Sequence, residues 1–262
     1  MPKGKNSNRA VTAARSSMGS TKPKPWGAVA AVVAVLLFAG GVFGYVYSKH
    51  SDNQEREAKL AQWTPSDSNK DPAKQIPGVE THDYAAQRHV SAAQRVAYDR
   101  TPAFGGPHDG FWAACNGVVY DRAVRTENLV HSLEHGAVWI AYNPDQVRGE
   151  ALDALRKKVE GQQFMVMSPY PGLDRPISLQ SWGHQLKLDN AGDERIDHFV
   201  RSLRRNQFTY PEIGASCDAL GPGQFDPDNP PAFDPAPPGP DAVPMNGGVD
   251  ANQQPGGMGQ AG

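Results

Sequence analysis

Ala137-Val138-Trp139-Ile140-Ala141-Tyr142 runs directly into Asn143-Pro144-Asp145, and Phe164-Met165-Val166-Met167 follows after an amphipathic stretch. The first run is apolar, β-branched and aromatic, which predicts a buried strand. Asn143 supplies a cap and Pro144 an N1 proline, so a helix is expected to open there, with Val147, Leu152, Leu155 and Val159 as its apolar face. Residues 164–167 predict a second buried strand, ended by the turn Ser168-Pro169-Tyr170-Pro171-Gly172. Around this kernel, residues 117–120 predict a short strand, and residues 177–182 and 185–188 a strand pair. Residues 194–203 predict an amphipathic helix with Ile196, Phe199, Val200 and Leu203 inward. Residues 84–98 fit a short helix or a loop, and the prolines and glycines of 101–108 deny both regular forms. The order β, β, α, β, β, β, α predicts an α+β fold: one mixed or mainly antiparallel sheet with helices.

The flanks differ from this domain. Residues 26–47 carry no charge, and at 1.5 Å rise per residue they give about 33 Å of helix, enough to cross the hydrocarbon core of a bilayer. Trp26, Tyr45 and Tyr47 occupy the interfacial ends, and residues 1–25 carry six basic residues and no acid. A single transmembrane helix is expected, with a cytoplasmic basic tail and everything after residue 48 outside. A cleaved signal peptide is the competing reading, but Tyr45-Val46-Tyr47 offers no small-residue cleavage site. Gly40 and Gly44 form a GxxxG pair, which the abundance of glycine in membrane helices explains without dimerisation. Residues 48–78 are expected to be a stalk and linker broken by Pro65, Pro72 and Pro77, and residues 79–218 the globular domain. Residues 219–262 include ten prolines, nine glycines and no lysine or arginine, which predicts a disordered acidic tail.

The net charge of −2, from 26 basic and 28 acidic side chains, argues against a nucleic-acid binder. The only cysteines, Cys115 and Cys217, lie in the external part. A disulfide closing a loop of about 100 residues is expected there, beside the readings of a thiolate pair or two free thiols; no CxxC spacing is present.

The chemistry concentrates in His131-Ser132-Leu133-Glu134-His135-Gly136. Whether helix or strand, the spacing puts His131 and His135 on one face, where two imidazoles can reach one divalent transition metal. His108 on the Gly/Pro loop and His89 are further candidate ligands, and Met165 and Met167 would add soft sulfur if the ion were copper rather than zinc. The bland alternative has the histidines bonding backbone and the methionines packing in a strand. The six residues also fit H-x-x-E-H, in which Glu134 would activate water in a zinc hydrolase, but Gly136 and the strand-like run after it oppose the long helix such a site needs. No GxSxG, Walker or GxGxxG motif is present.

Tyr98-x-x-Thr101-Pro102, Gly106-Pro107-His108, Cys115-x-Gly117-x-x-Tyr120, residues 127–138, Ser168-Pro169-Tyr170-Pro171-Gly172-Leu173 and Trp182-Gly183 together resemble a bacterial, mostly actinobacterial family, domain of unknown function 3105, over about residues 85–218. The resemblance implies membrane anchoring or export and histidines at the positions of His89, His108, His131 and His135, but no activity. Where the family reads Pro-Pro-Thr-Ser-Gly, this chain has Pro102-Ala103-Phe104-Gly105-Gly106. The combined expectation is a membrane-anchored extracytoplasmic domain with a copper or zinc centre at His108, His131 and His135, and with His89, Glu134 or Met167 nearby. Its rival is a non-catalytic envelope scaffold that binds a protein partner.

Overall fold

The central apolar run becomes β5 (Val138–Tyr142), buried along its whole length in a computed structural model that describes residues 25–250. It lies inside a six-stranded sheet of order β1 (Val79–Thr81), β8 (His184–Leu188), β7 (Ile177–Ser181), β5, β6 (Met165–Pro169), β4 (Asn116–Val119). β5 and β4 pair parallel to β6, while β7 pairs antiparallel to β5, and β8 extends the antiparallel part with β1 at its edge. The sheet is therefore mixed and the fold α+β, as the order of periodicities predicts.

Strand alternation sorts the core into two layers. Val138, Ile140, Met165, Met167 and Leu179 point to one face and pack under α3 (Glu150–Val159) and α4 (Arg195–Leu203), through Leu155, Val159, Ile196, Phe199 and Leu203. Trp139, Ala141 and Val166 point to the other face and meet Leu129, Val130 and Leu133 of α2 (Thr126–Glu134). Each such large apolar side chain contributes roughly 1.5 to 3 kcal/mol on burial. The Trp139 indole N–H is satisfied by donating to Ser168 Oγ at 3.0 Å.

The helix expected at Asn143 starts later. Asn143 Oδ1 accepts from the Asp145 N–H at 2.9 Å and its carbonyl from Val147, closing a local turn, and α3 opens only after Gly149. The asparagine satisfies its own turn instead of capping a helix.

A second, three-stranded sheet sits beside α2: β3 (His108–Asp109) pairs parallel to β2 (Arg88–Val90), and β9 (Val249–Asp250) pairs antiparallel to β2. β9 and several side chains place parts of the segment expected to be disordered, residues 219–250, against the domain. Phe225 is fully buried in the layer under α2, Phe233 packs against Tyr170, and the segment bridges Val124 and Val96. A few aromatic anchors spaced along a proline-rich strap order it, where the average composition points to disorder. The ends of the chain, residues 1–24 of the expected basic tail and residues 251–262, lie outside the described residues.

Cys115 and Cys217 form a disulfide, and the Cys115 N–H also donates to the Cys217 carbonyl at 2.9 Å. The chain divides into two units, residues 1–56 and 57–262. The described part of the first belongs to α1 (Pro25–Leu60); the helical span Trp26–Trp63 is long and apolar enough to cross a membrane, and large side chains such as Trp26, Phe38 and Phe43 are exposed.

Candidate metal centre

α2 is nine residues long and every one is buried. It ends at His135, and Gly136 follows with φ +91° in the left-handed region. The Gly136 and Ala137 N–H groups donate back to the Leu133 and Ser132 carbonyls at 2.9 and 3.1 Å, a Schellman closure. A side chain at Gly136 would strike the Tyr210 ring, 2.8 Å from an added Cβ. This closure fixes His131, Glu134 and His135 around the last turn. The parallel register of β2 and β3 sets His89 directly beside His108.

Three imidazoles therefore form a triangle, closed by His89 and His131 at 5.1 Å, and His135 extends it. Ring centroids are 5.0 Å apart from His89 to His108, 4.7 Å from His108 to His131 and 4.6 Å from His131 to His135. Ligand atoms of His89, His108, His131 and Glu134 lie within 4.8 Å of one another, as do those of His131, His135 and Glu212.

The tautomers follow from the backbone. Nδ1 of His108 lies 2.8 Å from the Gly106 carbonyl, Nδ1 of His131 2.6 Å from that of Asp109, and Nδ1 of His135 2.6 Å from that of Ser216. A carbonyl only accepts, so each Nδ1 carries the proton and each Nε2 presents a lone pair. His108 Nε2 faces Glu134 Oε2 at 2.8 Å, and His135 Nε2 faces Glu212 Oε2 at 3.1 Å. Two acceptors at such separation need a cation between them, either a proton or a metal ion. Nε2 of His89, Nε2 of His108 and Oε2 of Glu134 are buried and without an aligned hydrogen-bond partner among the described residues. Donating the second ring nitrogen to a backbone carbonyl is the usual way a metal-binding imidazole is oriented.

The surrounding polar network holds these groups. Glu134 Oε1 accepts from the Gln87 N–H at 2.6 Å, where Gln87 has φ +55°. Arg125 pairs with Asp109 and Glu127, bracing β3 against the start of α2. The electrostatics favour neutral rings at His131 and His89. Burial, then the neighbouring histidines, holds His131 well below the ordinary histidine value, and burial with His108 lowers His89. Burial also works against a charged His108, but the Glu134 carboxylate beside it outweighs this and raises its value. The hydrogen bond from His135, then its charge, overcomes burial to lower Glu212.

A family model described as a protein of unknown function, DUF3105, matches residues 89–219, half of the chain. The chain belongs to the DUF3105 family. No curated protein and no solved structure matches it. The matched span of the DUF3105 domain holds His89, His108, His131, Glu134, His135 and Glu212, together with both cysteines.

Of the ligands that the sequence suggests, His89, His108, His131, Glu134 and His135 converge. Met167 does not: it shares the parity of Met165 on β6, so its side chain is buried under α3 and α4, across the sheet from α2. The expected single set also divides into two groups that share His131. Glu212 escapes a reading of the sequence, because a lone glutamate in the stretch 206–218 carries no local motif. Its position is set by the Cys115–Cys217 bridge and by its own N–H donating to the Glu134 carbonyl at 3.2 Å. Trp112 escapes it too; its ring lies 4.7 Å from that of His135 and 5.7 Å from that of His131.

Proposed function

We propose that the DUF3105 domain of this chain binds one divalent transition-metal ion outside the cell membrane, with α1 as a single anchor and the N-terminus in the cytoplasm. One observation carries the reading: the buried Nε2 of His89, without a hydrogen-bond partner among the described residues, converges with His108 Nε2 and the Glu134 Oε2 that faces it at 2.8 Å, and a ligand atom of His131 lies within reach of the same group. A fully buried carboxylate facing imidazole lone pairs is costly unless a cation joins them. With Met167 removed, the donors are three imidazole nitrogens and one carboxylate, which suits zinc or oxidised copper better than cuprous copper, an ion that prefers sulfur. The disulfide supports an oxidising compartment, and the basic residues before α1 support the orientation.

The hydrolase reading loses support, since Glu134 is fully buried, with one oxygen taken by Gln87 and the other against His108, leaving no place for a substrate beside it. The test is elemental analysis of the full chain in detergent after exposure to copper and zinc, beside His108→Ala/His131→Ala. About one ion per chain, lost in the double variant, is expected. A folded wild type that retains no metal overturns the reading.

A further inference from the structure

The four imidazoles carry a carboxylate on each side, Glu134 against His108 and Glu212 against His135, and the two carboxylates differ in access. Glu134 and His108 are fully buried, whereas the Glu212 side chain keeps 24% of its surface exposed. His131 belongs to both ligand groups, yet its Nδ1 is committed to the Asp109 carbonyl, so it has one lone pair to give. The two groups therefore cannot both be complete at once. They are alternative positions for one ion rather than the halves of a two-ion centre.

We infer that Glu212 and His135 form the entry position of the metal centre, at which an arriving divalent cation is first held together with His131 before passing to His89, His108 and Glu134. The inference rests on the metal-binding reading above and adds a route to it.

The geometry supports each step. Glu212 brings a negative charge to the more exposed end, the sign that attracts a hydrated cation and raises its local concentration. His135 Nε2 already lies 3.1 Å from Glu212 Oε2 and its Nδ1 is anchored on Ser216, so the pair stands ready to replace two waters of the ion. The centroids of His135, His131 and His108 are 4.6 and 4.7 Å apart, close enough for His131 to keep its single bond while the other ligands are exchanged around it. The inner end then offers one more donor than the outer, four against three, with His108, His131 and Glu134 buried and His89 part-buried, so the ion rests there. Trp112, in ring contact with both His131 and His135, sits at the entry, and Trp182, 5.9 Å from His108, sits at the inner end. A quenching ion met at the two positions therefore has a tryptophan at each.

The experiment is stopped-flow loading of cupric ion into the full chain in detergent, followed by tryptophan fluorescence, with release into excess chelator measured separately. It compares wild type, Glu212→Gln, His135→Gln and His108→Ala. Removing the entry charge is expected to slow loading about tenfold or more, the size of an electrostatic steering effect, and to slow release in parallel, with one ion per chain still bound at saturation. Trp112→Phe is expected to remove the earlier of two quenching phases. Unchanged loading and release in both Glu212→Gln and His135→Gln, with metal still bound, overturns the entry role alone. Faster release with unchanged loading makes Glu212 a resting ligand and also overturns it, and two ions per wild-type chain overturns the alternation. A wild type that binds no cupric ion, or a His108→Ala variant that binds like wild type, overturns the metal-binding reading itself.

Discussion

Breaking the Cys115–Cys217 bridge separates two effects that the fold combines. The cysteines are 102 residues apart, so in the chain-entropy account the bridge removes about 4.7 kcal/mol of freedom from the unfolded chain. Both sulfurs are buried in the layer under α2, with at most 1% of either residue exposed, so Cys115→Ala/Cys217→Ala also deletes packed atoms. By comparison with other one-atom core deletions, that adds about 1 kcal/mol per site. Reduced wild type keeps the sulfurs and loses only the closure. For a folded unit of this size, about 4.7 kcal/mol corresponds to a fall in Tm of roughly 10 to 19 °C. Guanidinium denaturation of the oxidised chain, the reduced chain and the double alanine variant is expected to give midpoints in that descending order. Equal midpoints for oxidised and reduced chain would refute the reasoning, because they would mean the intervening residues are already held together without the bridge.

Three further outcomes are expected. Phe225→Ala, at a fully buried position on the C-terminal strap, lowers stability by about 3 to 5 kcal/mol in denaturation, and a loss below about 1 kcal/mol would return residues 219–250 to the disordered reading. Arg125→Met leaves the buried Asp109 carboxylate without its guanidinium, costs about 3 to 5 kcal/mol and weakens metal binding through β3; calorimetric titration with zinc checks the second effect. For pH, burial raises the Asp71 carboxyl, but the hydrogen bond from His184 at 3.0 Å, the charge of His184 and the neighbouring Lys74 together outweigh it and hold the folded value below the ordinary one. The folded value is thus the lower of the two, so this contribution is fully present above about pH 4 and fades as pH falls through the folded value. The stability gap between wild type and Asp71→Asn should narrow over that acid range, and a gap that widens there would show the opposite sign.

Legibility in the sequence follows the range of the interactions. β5 to β8 and α4 are written in local periodicity, since each buries one face or both against neighbours that impose a regular repeat. α2 is ambiguous between helix and strand because it is nine residues long with only Leu129, Val130 and Leu133 to mark its apolar face, and the spacing of His131 and His135 puts both on one face in either conformation. β2, β3 and β9 have two or three residues each, too few for any period, and exist only through pairing between distant segments. The spacing of His131 and His135 is visible, whereas the meeting of His89 with His108 depends on strand register and that of Glu212 with His135 on a bridge in a distant loop. The misplacement of Met167 is avoidable: alternation with Val166 already places it with Met165, on the face away from α2.

The complete burial of α2 bears on which ions the centre accepts. A ligand-bearing helix with solvent on one side can lean outward to fit a larger ion, but α2 has packed neighbours on all sides and a glycine closure jammed against Tyr210. Its ligands are set before any metal arrives, and interiors packed to crystal-like density resist displacement. Discrimination then rests on ionic radius and preferred geometry as well as on the intrinsic affinity order that favours copper over the other divalent first-row ions. Loosening one wall, as Leu129→Ala or Leu133→Ala would, should widen the range of ions the centre holds even though neither side chain is a ligand.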